Sequence, residues 1–139
     1  MVEQTRPESR SLPPRTAEVD RRRVLVVDDD LPVRGMLSVA LRRQGFAVLL
    51  AGNGSEAERA LAFYSPCVIL LDLMMPEVNG WDFLQRLQET GFKGKIPVIV
   101  ISAHLQHEPQ ALLQMGVTAI LPKPFNLNDL MELIEHVAL

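Results

Sequence analysis

Val24-Leu25-Val26-Val27-Asp28-Asp29-Asp30 joins four apolar residues to three consecutive acids. A continuous apolar run, rather than an alternating one, reads as a strand covered on both faces. The same join of apolar run to charged group recurs twice. Asp72 follows Val68-Ile69-Leu70-Leu71, and Lys123 follows Ala119-Ile120-Leu121 with Pro122 between. If these runs are adjacent parallel strands, the acids and the lysine meet at one edge of one sheet. Clustered carboxylates repel: two unit charges about 4 Å apart cost roughly 4 kcal/mol at an effective dielectric near 20. A hard divalent cation keeps such a cluster ionised. That cation beside a lysine suits the handling of a phosphoryl group.

The rest of the chain alternates in the same way. Strands are predicted at Val24–Asp28, Ala47–Ala51, Val68–Asp72, Val98–Ser102 and Thr118–Leu121. Between them lie helical patterns. Leu31–Arg43 places Val33, Met36, Leu37, Ala40 and Leu41 at helical spacing and stops at Gln44-Gly45, a C-cap signal. Ser55–Phe63 follows the turn Gly52-Asn53-Gly54. Trp81–Gln88 follows Gly80, with Asp82 near the positive end of the helix dipole. A short helix at Pro109–Met115 ends at Gly116. Asn126–Val137 carries Leu127, Leu130, Met131, Ile134 and Val137 on one face. Ten alternating elements predict an α/β fold: a doubly wound, five-stranded parallel sheet with helices on both faces. Such sheets bind ligands outside the carboxyl ends of their strands, where these acids and Lys123 fall.

Composition narrows the function classes. The 139 residues suggest one domain. Net charge is −3, so no broad nucleic-acid footprint is implied. Residues 1–23 carry six Arg against four acids, while residues 24–139 carry eight basic and thirteen acidic residues. Residues 1–22 are polar, with Pro7, Pro13 and Pro14, and are expected to be a disordered tail before a domain at 23–139. Arg21-Arg22-Arg23 either flanks the first strand in solvent or meets an anionic partner. The single cysteine, Cys67, excludes an internal disulfide and fits a reducing compartment. It reads as a small buried apolar residue rather than a redox group. No membrane span or secretory signal is visible, so a cytoplasmic protein is expected.

The motifs Val26-Val27-Asp28-Asp29-Asp30, Leu71-Asp72-Leu73-Met74-Met75-Pro76-Glu77-Val78-Asn79-Gly80, Ile101-Ser102-Ala103 and Lys123-Pro124-Phe125 occur in this order, each at a strand end. Together they resemble the receiver domain of two-component response regulators, in the manner of a chemotaxis-regulator-like single-domain receiver. The likeness runs from about Arg23 to Val137. It implies strand order 2-1-3-4-5, in the flavodoxin-like arrangement. It also implies that Asp72 is the phosphoacceptor, since a carboxylate can attack phosphorus and form an aspartyl phosphate. Asp28 and Asp29 would hold Mg²⁺ together with Asp72 and the backbone carbonyl of Met74. Lys123 would pair with Asp72 and then with a phosphoryl oxygen. Ser102 would offer its hydroxyl to the phosphoryl group. The Lys123–Pro124 bond would be cis.

The resemblance also implies partners. A sensor histidine kinase or a histidine phosphotransfer protein would supply the phosphoryl group. A downstream protein would meet the surface of the fourth helix, fifth strand and fifth helix; a homodimer is left open. No direct nucleic-acid contact is expected, and no enzymatic turnover beyond the domain's own phosphotransfer and slow dephosphorylation. A relay role, handing phosphate on to a histidine, shares the same chemistry. No output domain follows Leu139, so the chain reads either as a single-domain regulator or as a receiver from a longer one.

Alternatives are weaker. Three acids alone form a solvated turn, and Asp30 reads also as the N-cap of the helix at Leu31. Lys123 alone reads as a surface lysine. A Mg²⁺ phosphatase usually needs a second acid two residues after its nucleophile as general acid, and Met74 stands there. Flavodoxin-like phosphate binding conflicts with the acids at 28–30. A degenerate scaffold conflicts with the complete acidic set. Some departures bear on tuning: Met74 and His104 flank the expected path of hydrolytic water, and bulky Met74 predicts slow self-dephosphorylation. Ile120 replaces the aromatic that many receivers carry three residues before the lysine, and Pro122 should stiffen that loop. His104 reads as an exposed loop residue. His107 and His136 invite a phosphotransfer role, but His136 reads as lying at a frayed helix terminus, and the three histidines show no metal-ligand spacing.

Overall fold

A computed structural model describes residues 20–73, 80–89, 96–103 and 109–138. The expected disorder before residue 20 and the expected roles of Met74, His104 and His107 lie outside these residues. The elements are β1 (Asp20–Val27), α1 (Leu31–Arg43), β2 (Ala47–Ala51), α2 (Gly54–Phe63), β3 (Pro66–Leu71), α3 (Gly80–Glu89), β4 (Val98–Ser102), α4 (Pro109–Gln114), β5 (Ala119–Pro122) and α5 (Leu127–Ala138). The five strands form one parallel sheet in the order β2-β1-β3-β4-β5. This is the order that the resemblance to receiver domains implied.

The continuous apolar runs are explained by two cores, one on each face. Alternate side chains of a strand point to opposite faces. Leu25, Val27, Ile69, Leu71, Val98 and Val100 pack with Ala57 and Leu61 of α2 and with Phe83 and Leu87 of α3. Val24, Val26, Val68, Leu70, Ile99 and Ile101 pack with Leu37 and Leu41 of α1 and with Leu130 and Ile134 of α5. Each such side chain contributes about 1.5–3 kcal/mol on burial, so polar residues of the central strands fall at their ends, as Ser102 does in β4. β3 and β4 are buried along their whole length. The edge strands β2 and β5 are only half-buried.

Helix ends follow from local chemistry. Asp30, extended at φ −79°, accepts the Val33 N–H and caps α1, with Pro32 in the first turn. Asn53 caps α2 through the Glu56 N–H at 2.9 Å, and the Glu56 carboxylate reaches back to the Gly52 N–H. At the end of α1, Gly45 sits at φ +90°, the Phe46 N–H donates to the Leu41 carbonyl and the Gly45 N–H to the Arg42 carbonyl. That is the Schellman closure for which glycine is favoured. Gly116, at φ +89°, closes α4 in the same way through Val117 and Leu112.

Two local expectations are corrected. β1 begins at Asp20, which pairs with Pro66, so the strand takes in residues assigned to the tail. Arg22 lies along α1's carboxyl end: its guanidinium donates to the carbonyls of Gln44 at 2.9 Å and Gly45 at 3.3 Å and stacks over Phe46. A cation there satisfies carbonyls that the helix leaves over and complements its dipole. On α1, Met36 is 43% exposed while Ser38 is buried. The buried stripe is turned from the one that hydrophobicity predicted.

Candidate functional site

The parallel ladder delivers the charged residues to one edge. Just past the last β1–β2 and β1–β3 pairs, the Asp28 N–H donates to the Ala51 carbonyl at 3.0 Å and the Asp72 N–H to the Val27 carbonyl at 2.9 Å. The Lys123 N–H donates to the Ser102 carbonyl at 3.0 Å. Backbone bonds therefore fix where Asp28, Asp72 and Lys123 stand before any side chain interacts. β1 and β3 end at one level, Val27 opposite Leu71, while β4 continues two residues past Val100, the partner of Leu71, to Ser102.

Asp28, Asp72 and Ser102 are buried, and Asp29 is exposed. Carboxylate oxygens of Asp28, Asp29 and Asp72 lie within 4.8 Å of one another. Lys123 Nζ donates to Asp72 Oδ2 at 3.1 Å and to Asp28 Oδ2 at 3.3 Å. The Asp30 N–H donates to Asp28 Oδ1 at 2.9 Å. Both oxygens of Asp28 are thus oriented, one by the loop that follows it and one by Lys123.

Burial holds the Asp28 carboxyl above its ordinary value; the Asp72 charge adds to the rise, and the Asp30 N–H and Lys123 oppose it. Burial alone would lower Lys123. Its hydrogen bond to Asp72 and the charges of Asp28 and Asp72 outweigh that, and hold the ammonium above its ordinary value. One lysine thus faces two buried carboxylates with a third beside them, an excess of negative charge. Hard oxygen donors in this number and closeness fit a divalent cation such as Mg²⁺, which typically takes one or two carboxylates and completes its shell with water and phosphate oxygens. The site's chemistry suits an anionic oxygen ligand arriving with its own counterion.

The structure brings together Asp28, Asp29, Asp72 and Lys123, and ends β4 at Ser102 on the same edge. Met74 lies outside the described residues. The Lys123–Pro124 bond is cis. Two contributors were not read from the sequence. One is the Asp30 amide, which aims Asp28 while the Asp30 side chain caps α1. The other is Gly80: a Cβ there would stand 2.5 Å from Leu73 Cα and 2.9 Å from the Asp72 carbonyl oxygen. The Gly80 N–H donates to the Leu73 carbonyl at 3.1 Å. The start of α3 therefore lies directly against the Asp72–Leu73 backbone. Beside Lys123, an open cleft of about 400 Å³ is lined by Val33, Met36, Ala103, Pro124 and Phe125.

Comparison with known proteins agrees with this geometry. The response regulator receiver domain family matches residues 24–135. Response regulator MprA of Mycolicibacterium vanbaalenii is 39% identical over 110 residues, which is 78% of this chain and 47% of that protein. The chain thus spans about half the length of the relatives it matches. Among solved structures, the CheY-like response regulator receiver domain protein from Methanospirillum hungatei superposes with a TM-score of 0.75 at 30% identity, covering 86% of this chain and 95% of that one. Response regulator TrrA from Thermotoga maritima, in complex with Mg²⁺ and BeF, superposes with a TM-score of 0.73 at 25% identity, covering 84% and 98%.

Proposed function

The chain belongs to the response regulator receiver domain family, and on that premise we propose that it accepts a phosphoryl group on Asp72 from a phosphohistidine donor and thereby switches a protein-binding surface. One observation carries this reading: Asp28, Asp29, Asp72 and Lys123 converge at the carboxyl edge of the sheet, with Lys123 bonded to both buried carboxylates. A sensor histidine kinase or a histidine phosphotransfer protein supplies the donor. The domain catalyses its own transfer and a slow dephosphorylation, and has no other substrate. No described helix is long and apolar enough to cross a membrane, and the reading takes a cytoplasmic setting for the domain.

In the transfer, a carboxylate oxygen of Asp72 attacks phosphorus as the P–N bond of the donor breaks. The imidazole nitrogen leaves with the electron pair and takes a proton. Asp28, Asp29 and Asp72, with the expected backbone carbonyl of Met74, would hold Mg²⁺, which would offset the charge that develops as two anionic groups meet. Lys123 holds Asp72 in place beforehand and follows the new phosphoryl oxygens afterwards. Ser102, the last residue of β4, offers its hydroxyl to the same group. Phosphorylation adds about −1.5 to −2 charges to a pocket already short of cations, so Lys123 and the end of β4 are drawn inward. β5 leads directly into Lys123, and its displacement is passed to the α4, β5 and α5 surface.

Fluorescence of Trp81, which follows Gly80, tests the reading. Titration with Mg²⁺ and then beryllofluoride should give a saturable change in wild type that is lost in Asp72→Ala. No response in wild type, together with no heat of Mg²⁺ or beryllofluoride binding by calorimetry, would leave a scaffold without phosphoacceptor chemistry.

A further inference from the structure

The surface around β5 and α5 carries charge of a single sign. From Ala119 to Ala138 the sequence contains Asp129, Glu132 and Glu135 against one cation, Lys123. Lys123 is turned away into the carboxylate site. Between β5 and α5 lies a groove of about 530 Å³ lined by Leu121, Asp129, Glu132, Leu133 and His136. Leu121 and Leu133 are half-buried; Asp129, Glu132 and His136 are exposed. The groove thus has an apolar floor, an acidic rim and, at its side, the edge strand of the sheet.

We propose that this groove docks a cationic amphipathic segment of another protein, with an apolar side chain against Leu121 and Leu133 and flanking Lys or Arg reaching Asp129 and Glu132. The inference rests on the receiver reading, which puts output on this surface, and adds the chemistry of the partner. Charge complementarity selects the occupant. A second copy of this chain does not fit through the same patch, because a two-fold interface sets a patch against itself. Asp129, Glu132 and Glu135 would then face their own equivalents with no lysine or arginine of α5 to separate them. A helix laid in a groove by one apolar stripe, with cations beside it, meets both the floor and the rim.

Three labelled synthetic helices test this by fluorescence anisotropy on the full chain. One has leucines flanked by lysine, one the same leucines flanked by glutamate, and one the lysines with serine in place of leucine. Only the first should bind well. Glu132→Lys should weaken it roughly tenfold. Glu89→Lys, the same charge change on exposed α3 across the sheet, should change it less than about twofold. Equal weakening by the two variants, or equal binding of the serine peptide, would reduce the effect to net charge and overturn the proposal. So would a concentration-dependent dimer in sedimentation that Glu132→Lys disperses. Each titration is repeated with Mg²⁺ and beryllofluoride. A protein that gives the Asp72-dependent Trp81 response but fails the peptide comparison loses this partner and keeps its receiver function. A protein that passes the peptide comparison without that response keeps the groove and loses the phosphoacceptor reading.

Discussion

Lys123 stands between two carboxylates, 3.1 Å from one and 3.3 Å from the other, and cannot neutralise both. The surplus falls on Asp28, whose carboxyl is held above its ordinary value chiefly by burial. An acid of raised value binds its proton more tightly in the folded state. Stability of the metal-free protein therefore falls as pH rises from about 3.8 through the folded-state value, and the loss is complete above that value. Asp28→Asn keeps an oxygen for the Asp30 N–H and removes the charge. In EDTA at pH 7 it should be more stable than wild type, with the advantage vanishing below the unfolded value. It should also lose most stabilisation by Mg²⁺, which in wild type adds about 2.7 kcal/mol at a hundredfold excess over Kd. Calorimetric melts across pH read both effects; a destabilised variant in EDTA would show that the Lys123 contact outweighs the cost of burial.

Lys123→Met works in the opposite direction. It leaves two buried carboxylates without a cation, and should cost about 3 kcal/mol in EDTA, partly recovered by Mg²⁺. Because Lys123 is held above its ordinary value, its contribution is fully present below 10.5 and lost as pH rises through the folded-state value. The variant should therefore lose its deficit only in strong alkali. A melt in EDTA no lower than wild type at pH 7 would refute this. These four side chains were legible in the sequence because each ends an apolar run, and run ends of parallel strands share one edge. Arg22 was not legible. Its acceptors are the carbonyls of Gln44 and Gly45, which are twenty-two and twenty-three residues distant and brought beside it by pairing of β1 with β2.

At the scale of elements, existence and type were readable, and ends only where a cap residue marks them. Gly45 and Gly116 marked the ends of α1 and α4 through their left-handed conformation. Gly80 has no such conformation and still admits no side chain, because a Cβ would meet backbone of Leu73 and Asp72. That contact joins elements separated by residues 74–79, and no local signal encodes it. The two glycines should therefore fail differently. Gly45→Ala should cost about 1 kcal/mol, with the beryllofluoride response of Trp81 intact. Gly80→Ala should cost about 1–3 kcal/mol and also weaken beryllofluoride binding, since relief of the clash moves the segment that carries Asp72. Urea melts and Trp81 titrations separate the two. Undiminished beryllofluoride affinity in Gly80→Ala would mean that α3 yields instead of the Asp72 segment. The turn of α1's buried stripe was hidden for a related reason: Ser38 is small enough to be buried, and Met36 faces the cleft shared with Ala103 and Phe125.

For the whole molecule, the sheet divides into a rigid centre and two edges. β1, β3 and β4 contribute nearly all of the strand residues in both cores, while β2 and β5 remain half-exposed. Central amides should exchange with solvent only by global unfolding, and edge amides by smaller openings. The two edges differ in one respect. β5 runs straight into Lys123, whose ammonium spans to Asp28 and Asp72 across the sheet, whereas β2 donates no side chain to the site. Binding of Mg²⁺ and beryllofluoride should therefore slow amide exchange at Ala119, Ile120 and Leu121 well beyond the change in β2, in a hydrogen-exchange experiment on the full chain. A uniform slowing of both edges would mean that the ligand only raises global stability. A selective effect on β5 would identify the strand as the element that carries charge compensation from Lys123 out to the acidic groove beside α5.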